Sequence, residues 1–184
     1  GEADPRVAAA FDVEQRLERE LKRDYHIITA ERRLDQVARD FVKHYSTAWE
    51  TGKAMLVCID KVTCVRMHGL ISTYWKKRIA DLEGEIARTT DVQEEIYLRR
   101  QIEWMRETRM AVVISEEQGE VDTFRRWDLD ITPHRRLIKD GIDLPEFMRK
   151  RPQFRNMQRM ALDDAFKEGE HPFRIAIVCA MWLT

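Results

Sequence analysis

The sequence predicts an α/β domain built on a short, mostly parallel sheet, and three observations carry that prediction. Three continuous apolar runs, near 54–59, 110–115 and 173–180, lack helical periodicity and read as strands buried on both faces. Stretches with apolar residues at three-and-four spacing alternate with them, as in amphipathic helices. Turn formers are scarce, with Gly 7 and Pro 5 in 184 residues, so long helices with short connections should dominate. The order helix, strand, helices, strand is that of an α/β fold.

Taken in order, residues 1–28 open on Gly-Glu-Ala-Asp-Pro and continue into a charge-dense stretch, Glu14 to Arg23, where Leu17 and Leu21 lie four apart. A short, mostly solvated helix is expected there, a linker ahead of the domain 29–184. From Ala30 to Trp49 the positions Leu34, Val37, Ala38, Phe41, Val42, Tyr45, Ala48 and Trp49 define an amphipathic helix, with Thr29 as its cap and Gly52 beyond its end. Ala54–Ile59 is the first strand, and Asp60 can cap the helix that follows, from about Val62 towards Ile86. After a break at Thr89, Thr90 and Asp91, a second helix carries Val92, Ile96, Leu98, Ile102 and Met105, so the two form an antiparallel hairpin. Met110–Ser115 is the second strand. Val121, Phe124 and Trp127 suggest a short helix, then a surface loop through Pro133. Pro145 and Pro152 leave 142–156 with little expected regular structure. Asn156–Lys167 reads as a helix stopped near Gly169, and Phe173–Ala180 as the third strand.

Composition excludes several classes. Lys+Arg 32 against Asp+Glu 33 gives a net charge of -1, so neither a uniformly basic nucleic-acid binder nor an acidic tail protein is expected, though a local basic face is allowed. No apolar run approaches the ~18 residues of a membrane span. Three cysteines, at 58, 64 and 179, form no CxxC pair and suggest a reducing, cytoplasmic setting. The histidines at 26, 44, 68, 134 and 171 do not pair at metal spacing, and structural roles are expected for them. Gly52-Lys53 precedes a strand, whereas a phosphate loop follows one, so it is not an ATP site.

One segment carries a local charge signal. Phe147 to Arg159 holds Arg149, Lys150, Arg151, Arg155 and Arg159 with no acid, interleaved with Phe147 and Phe154. Such a patch suits a DNA backbone, because phosphate neutralisation supplies most non-specific affinity. The competing reading is a solvated loop whose charges pair with acids elsewhere. Arg135, Arg136 and Lys139 form a smaller cluster of the same kind.

Longer segments resemble a known family. Leu162 to Thr184 runs through Phe166-Lys167-Glu168-Gly169 into the apolar strand Phe-Arg-Ile-Ala-Ile-Val-Cys-Ala and ends on Met-Trp-Leu-Thr. It looks like the helix and strand leading into motif V of superfamily 2 helicases. Gly52 to Met67 is similar to motif IV, the first strand of the second RecA-like domain. With Ile28 to Phe41, Val113 to Val121 and Asp130 to Gly141, these segments resemble the restriction subunit of type I restriction-modification enzymes, over roughly Ile27 to Thr184.

That resemblance implies a partial RecA-like domain of an ATP-driven DNA translocase and endonuclease, with the long helical hairpin as an insertion. ATP and Mg would belong to the intact subunit and none is expected on this piece, which has no Asp-Glu-x-His box and no motif VI arginine. Neither ATP hydrolysis nor DNA cleavage is expected of it alone. Implied partners are duplex DNA and the specificity and modification subunits. Loops at strand carboxyl ends would follow DNA, which points to Lys61, Thr63, Ser115 and Thr184 as contacts beside Arg149, Lys150, Arg151 and Arg155. Cys179 stands where many helicases carry a threonine, and is expected to be a buried strand residue. The helix N-terminus leaves solvated surface equally open for Lys61 and Thr63. Because the sequence stops inside motif V, Phe173–Ala180 is expected to expose an apolar edge through which copies could associate. The alternative is a non-catalytic helical α/β module that binds a protein.

Overall fold

A computed structural model describes residues 4–180, so Thr184 lies outside the described residues. The chain divides into two compact units, 1–37 and 38–184. In the first, α1 runs over Pro5–Thr29, with Asp4 capping it by accepting from the Arg6 backbone N–H at 3.0 Å. It is longer than the short helix expected, and it buries none of its side chains. Thr29 ends α1 and donates its hydroxyl to the Tyr25 carbonyl, and α2 (Glu31–Thr47) follows.

The second unit is organised by a three-stranded parallel sheet of β1 (Ala54–Cys58), β2 (Arg109–Val113) and β5 (Phe173–Cys179), in the order β1-β5-β2. β5 is therefore the central strand. It pairs with β1 from Ala54↔Ile175 to Cys58↔Cys179 and with β2 on its other side. The expectation of an open edge on Phe173–Ala180 is overturned, since the edges of this sheet are β1 and β2. A register shift between Arg109 and Met110 bulges the start of β5. It lets Phe173 join Ala176 and Val178 in one core, although strict alternation would place Phe173 on the opposite face.

One face of the sheet is covered by a helical hairpin, α3 (Lys61–Arg88) and α4 (Val92–Glu107), with Cys64, Met67, Ile71 and Trp75 buried on α3. Asp60 caps α3 as expected, accepting from the Thr63 backbone N–H at 2.7 Å. Tyr45 and Trp49 add a satellite aromatic core with Trp75 and Trp104, ring centroids 5.3–6.1 Å apart. The polar tips in that core are satisfied: Trp75 Nε1 donates to Met105 O, Trp49 Nε1 to the Tyr97 hydroxyl, Tyr45 to Gly52 O, and Gln101 to Ser46 O.

The other face meets a less regular layer. After β2 come α5 (Glu120–Arg125), α6 (Thr132–Asp140), β3 (Ile142–Asp143), α7 (Glu146–Arg149), a 3-10 turn at Pro152–Phe154, β4 (Arg159–Met160) and α8 (Leu162–Lys167). β3 and β4 form a small antiparallel pair, and their Ile142 and Met160 join Leu144, Met148, Phe154 and Leu162 in the core. Gly141 is required at the entry to β3: its φ is 84°, and an added Cβ would meet Met160 O at 2.5 Å.

Four further sequence expectations change here. The helix expected over Asn156–Lys167 starts only at Leu162; Asn156 has φ 69° and Met160 is a strand residue. The loop expected through Pro133 contains α6, with Pro133 in its first turn, where a missing N–H costs nothing. Residues 142–156 carry more regular structure than their prolines suggested. β1 is not buried on both faces, because Met55 (52% exposed) and Val57 (45%) point outward.

Candidate functional site

Parallel strands deliver their carboxyl ends to one rim, and here that rim is built from the turn after β1, the segment after β2 and the end of β5. The geometry brings Lys61 and Ser115 together. Lys61 Nζ donates to Ser115 O at 2.9 Å and pairs with Glu117 Oε1 at 2.7 Å. Thr63 is buried, and its backbone N–H is taken by the Asp60 cap. Ser115 is exposed, but its carbonyl also accepts from Arg135 Nη2 at 3.3 Å.

Arg135 organises this rim. It reaches from α6 under the segment after β2, donating Nε and Nη2 to the two carboxylate oxygens of Glu120 at 2.8 Å each, and Nη1 to Ile114 O at 2.9 Å. Both side chains are buried, so this forked pair satisfies charges that would otherwise be costly in a low-dielectric setting. Burial pushes the Glu120 carboxyl up, yet the hydrogen bonds and charge of Arg135 outweigh this and hold it below its ordinary range. Glu120 Oε2 also accepts from the Glu117 N–H at 3.3 Å, and Lys139 pairs with Glu116 at 3.5 Å. The sequence placed Arg135 with Arg136 and Lys139 in one cluster of surface charge, and nothing local to α6 marks Arg135 as the one that turns inward.

The basic segment is different in character. Lys150 pairs with Glu146 at 3.8 Å, Arg151 with Glu170, and Arg159 with Asp143 at 3.4 Å. Arg151 also lies 6.0 Å from the Phe147 ring centroid. Arg149 and Arg155 are exposed, and their guanidiniums have no partner among the described residues. The acids that pair with this segment come from flanking elements, which is why the stretch itself reads as purely basic.

At the opposite rim, by the amino ends of β1 and β5, a cleft of about 510 Å³ is lined by Trp49, Trp104, Phe147, Lys53, Arg151 and Arg174, among others. Lys53 donates to Ala165 O at 2.8 Å and Glu168 O at 2.7 Å, closing the end of α8. Burial foremost, and then the Arg174 charge, lowers its pKa to about 8. Arg174 donates to Trp104 O and to the Thr108 hydroxyl at the end of α4. These cations hold helix ends together.

His68 of α3 and His134 of α6 meet edge to face, ring centroids 4.6 Å apart. Burial, and then the His134 ring, lowers the His68 pKa to about 4. Among the described residues no group of three His, Cys, Asp or Glu side chains is placed to hold a metal ion, and no helix is long and apolar enough to cross a membrane. Comparison of the chain with protein-family models, with curated proteins and with solved structures finds no match in any of the three.

Proposed function

We propose that the chain is part of the second RecA-like domain of the motor subunit of a type I restriction enzyme, where it supplies contacts to the backbone of duplex DNA and one side of an interdomain ATP cleft. The observation that carries this reading is the parallel, in-register pairing of β1 with β5. The two segments with the motif IV-like and motif V-like sequences thereby lie side by side with their carboxyl ends on one rim. The remaining partners of the reading are the specificity and modification subunits, in a cytoplasmic complex.

Within this reading, phosphate contacts fall to Arg149 and Arg155, with Lys150 and Arg151 beside them, because a guanidinium without an internal partner is free to replace counterions. Lys61 and Ser115 act by shaping the rim. Lys53 is engaged by backbone carbonyls at the amino end of the sheet and no phosphate loop follows a strand, so no described residue is assigned to ATP or its Mg, and the cleft half of the reading rests on the resemblance. No step is therefore assigned to the nucleotide here. Duplex DNA titrated across salt concentrations tests the reading. Affinity that falls steeply with salt, and falls further in an Arg149/Lys150/Arg151 triple alanine, supports it; binding indifferent to salt and to that variant rejects it.

A non-catalytic protein-interaction module is favoured by one different observation, the half-exposed Met55 and Val57 on edge strand β1. It predicts salt-insensitive association with a protein, weakened by Met55→Lys, and no affinity for duplex DNA.

A further inference from the structure

The cleft of about 510 Å³ at the amino rim of the sheet has the size of a small-molecule site, for which roughly 300–1,000 Å³ is usual. Trp49, Trp104 and Phe147 give it aromatic walls, and Lys53, Arg151 and Arg174 converge among them. Phe147 is 51% exposed, a ring that the core leaves uncovered beside three cations.

Two of these cations are oriented without being neutralised. Lys53 gives two hydrogens to the carbonyls of Ala165 and Glu168, at 2.8 and 2.7 Å, and the third has no partner among the described residues. Arg174 donates from Nη1 to Trp104 O and the Thr108 hydroxyl; its Nη2 meets Glu107 only at 3.8 Å, and its Nε has no partner among the described residues. The Trp104 ring backs the Arg174 guanidinium, 4.9 Å from the ring centroid, and holds it flat against the wall of the cleft. Carbonyls and a hydroxyl thus fix the direction of both groups and leave their charge standing. Burial comes first in lowering the Lys53 pKa, and the charge of Arg174 comes next, ahead of the opposing Glu168 carboxylate, so an anion between the two cations meets a positive field.

We propose that this cleft binds a small aromatic carboxylate, with the carboxylate between Lys53 and Arg174 and the ring against Phe147. The remaining donors of Lys53 and Arg174 supply charge-assisted hydrogen bonds to the carboxylate oxygens. Arg151, 6.0 Å from the Phe147 ring centroid and paired with Glu170, stays at the lip and borders the ring. The charge of the lining selects a single negative charge: Lys53, Arg151 and Arg174 against Glu50 and Glu170 leave one positive charge in surplus, and a doubly charged phosphate would exceed it. The site uses neither Arg149 nor Arg155 and lies at the rim opposite the strand carboxyl ends, so it stands whether or not the chain binds DNA.

The experiment titrates the whole chain with naphthoate and follows the indole N–H signals of Trp49 and Trp104 by nuclear magnetic resonance. Both signals should shift and saturate together. Naphthalenemethanol keeps the rings without the charge and acetate keeps the charge without the rings, and each should bind about tenfold or more weakly. Phe147→Ala, at an exposed position that folding tolerates, should weaken naphthoate binding by about fivefold. Lys53→Gln should weaken it by about tenfold, with circular dichroism confirming that the variant is folded. The Arg149→Ala/Arg155→Ala pair should leave it unchanged, which separates this site from the DNA reading. Saturable binding of naphthoate that exceeds both comparison compounds and is weakened by Phe147→Ala supports the site; no saturation, an equal affinity for either comparison compound, or indifference to Phe147→Ala overturns it.

Discussion

The carboxyl rim and the basic segment contain the same kinds of side chain and use them in opposite ways. At the rim, Lys61 and Arg135 each bind a backbone carbonyl and a carboxylate, so their charge is consumed inside the fold. On the segment after β3, Arg149 and Arg155 stand in solvent with no partner among the described residues. A cation near a strand end is therefore not a ligand contact by position alone. Burial and the local supply of carbonyls decide whether it holds the fold or faces a ligand.

The largest effect that can break this comparison is at Arg135. Replacing it with alanine leaves Glu120 charged and buried and the Ile114 carbonyl without its side-chain donor, and should cost about 3–5 kcal/mol. Chemical denaturation measures it; a loss below about 1 kcal/mol would mean the rim is not held as described.

The next effect concerns pH. The His68 pKa is lowered from 6.5 to about 4 by burial and the His134 ring, so the unfolded chain binds a proton that the folded chain refuses. Stability should be full above pH 6.5 and fall as pH drops towards 4, by about 3 kcal/mol. His134 adds to this in the same direction, through burial opposed by Asp130. Denaturation midpoints from pH 7.5 to 4.5 should show the decline, and His68→Phe should flatten it; a decline unchanged in that variant would place the titration elsewhere.

Smaller effects sharpen the contrast. Asp60→Ala removes the cap of α3 and should cost about 1 kcal/mol. Arg149→Ala and Arg155→Ala should leave stability within about 0.5 kcal/mol of the parent, as exposed positions do.

How much of this was legible beforehand differs by element. The three strands and the hairpin were readable because uninterrupted apolar runs and three-and-four spacing survive any tertiary context, and Asp60 was readable as a cap because that chemistry is local. The burial of β1 was misread: Met55 and Val57 look identical to core residues in sequence, and only the strand order makes β1 an edge with an uncovered face. Asn156–Met160 was misread because an apolar spacing of three, Met157 and Met160, occurs by chance in a segment that turns at a positive φ. Among the site residues, the rim location of Lys61 and Ser115 followed from strand ends. Their mutual hydrogen bond did not, since it joins residues 54 positions apart. Arg135 needed Glu120 and the carbonyls after β2 in place before its role could be seen.

The distribution of cations between structure and ligand is tested most directly by measuring duplex DNA affinity against salt for the parent chain, Lys61→Ala and the Arg149→Ala/Arg155→Ala pair. The account predicts that the double variant flattens the dependence of log affinity on log salt by about two, one per lost phosphate contact, while Lys61→Ala leaves the slope unchanged. A slope flattened by Lys61→Ala and untouched by the double variant would contradict it.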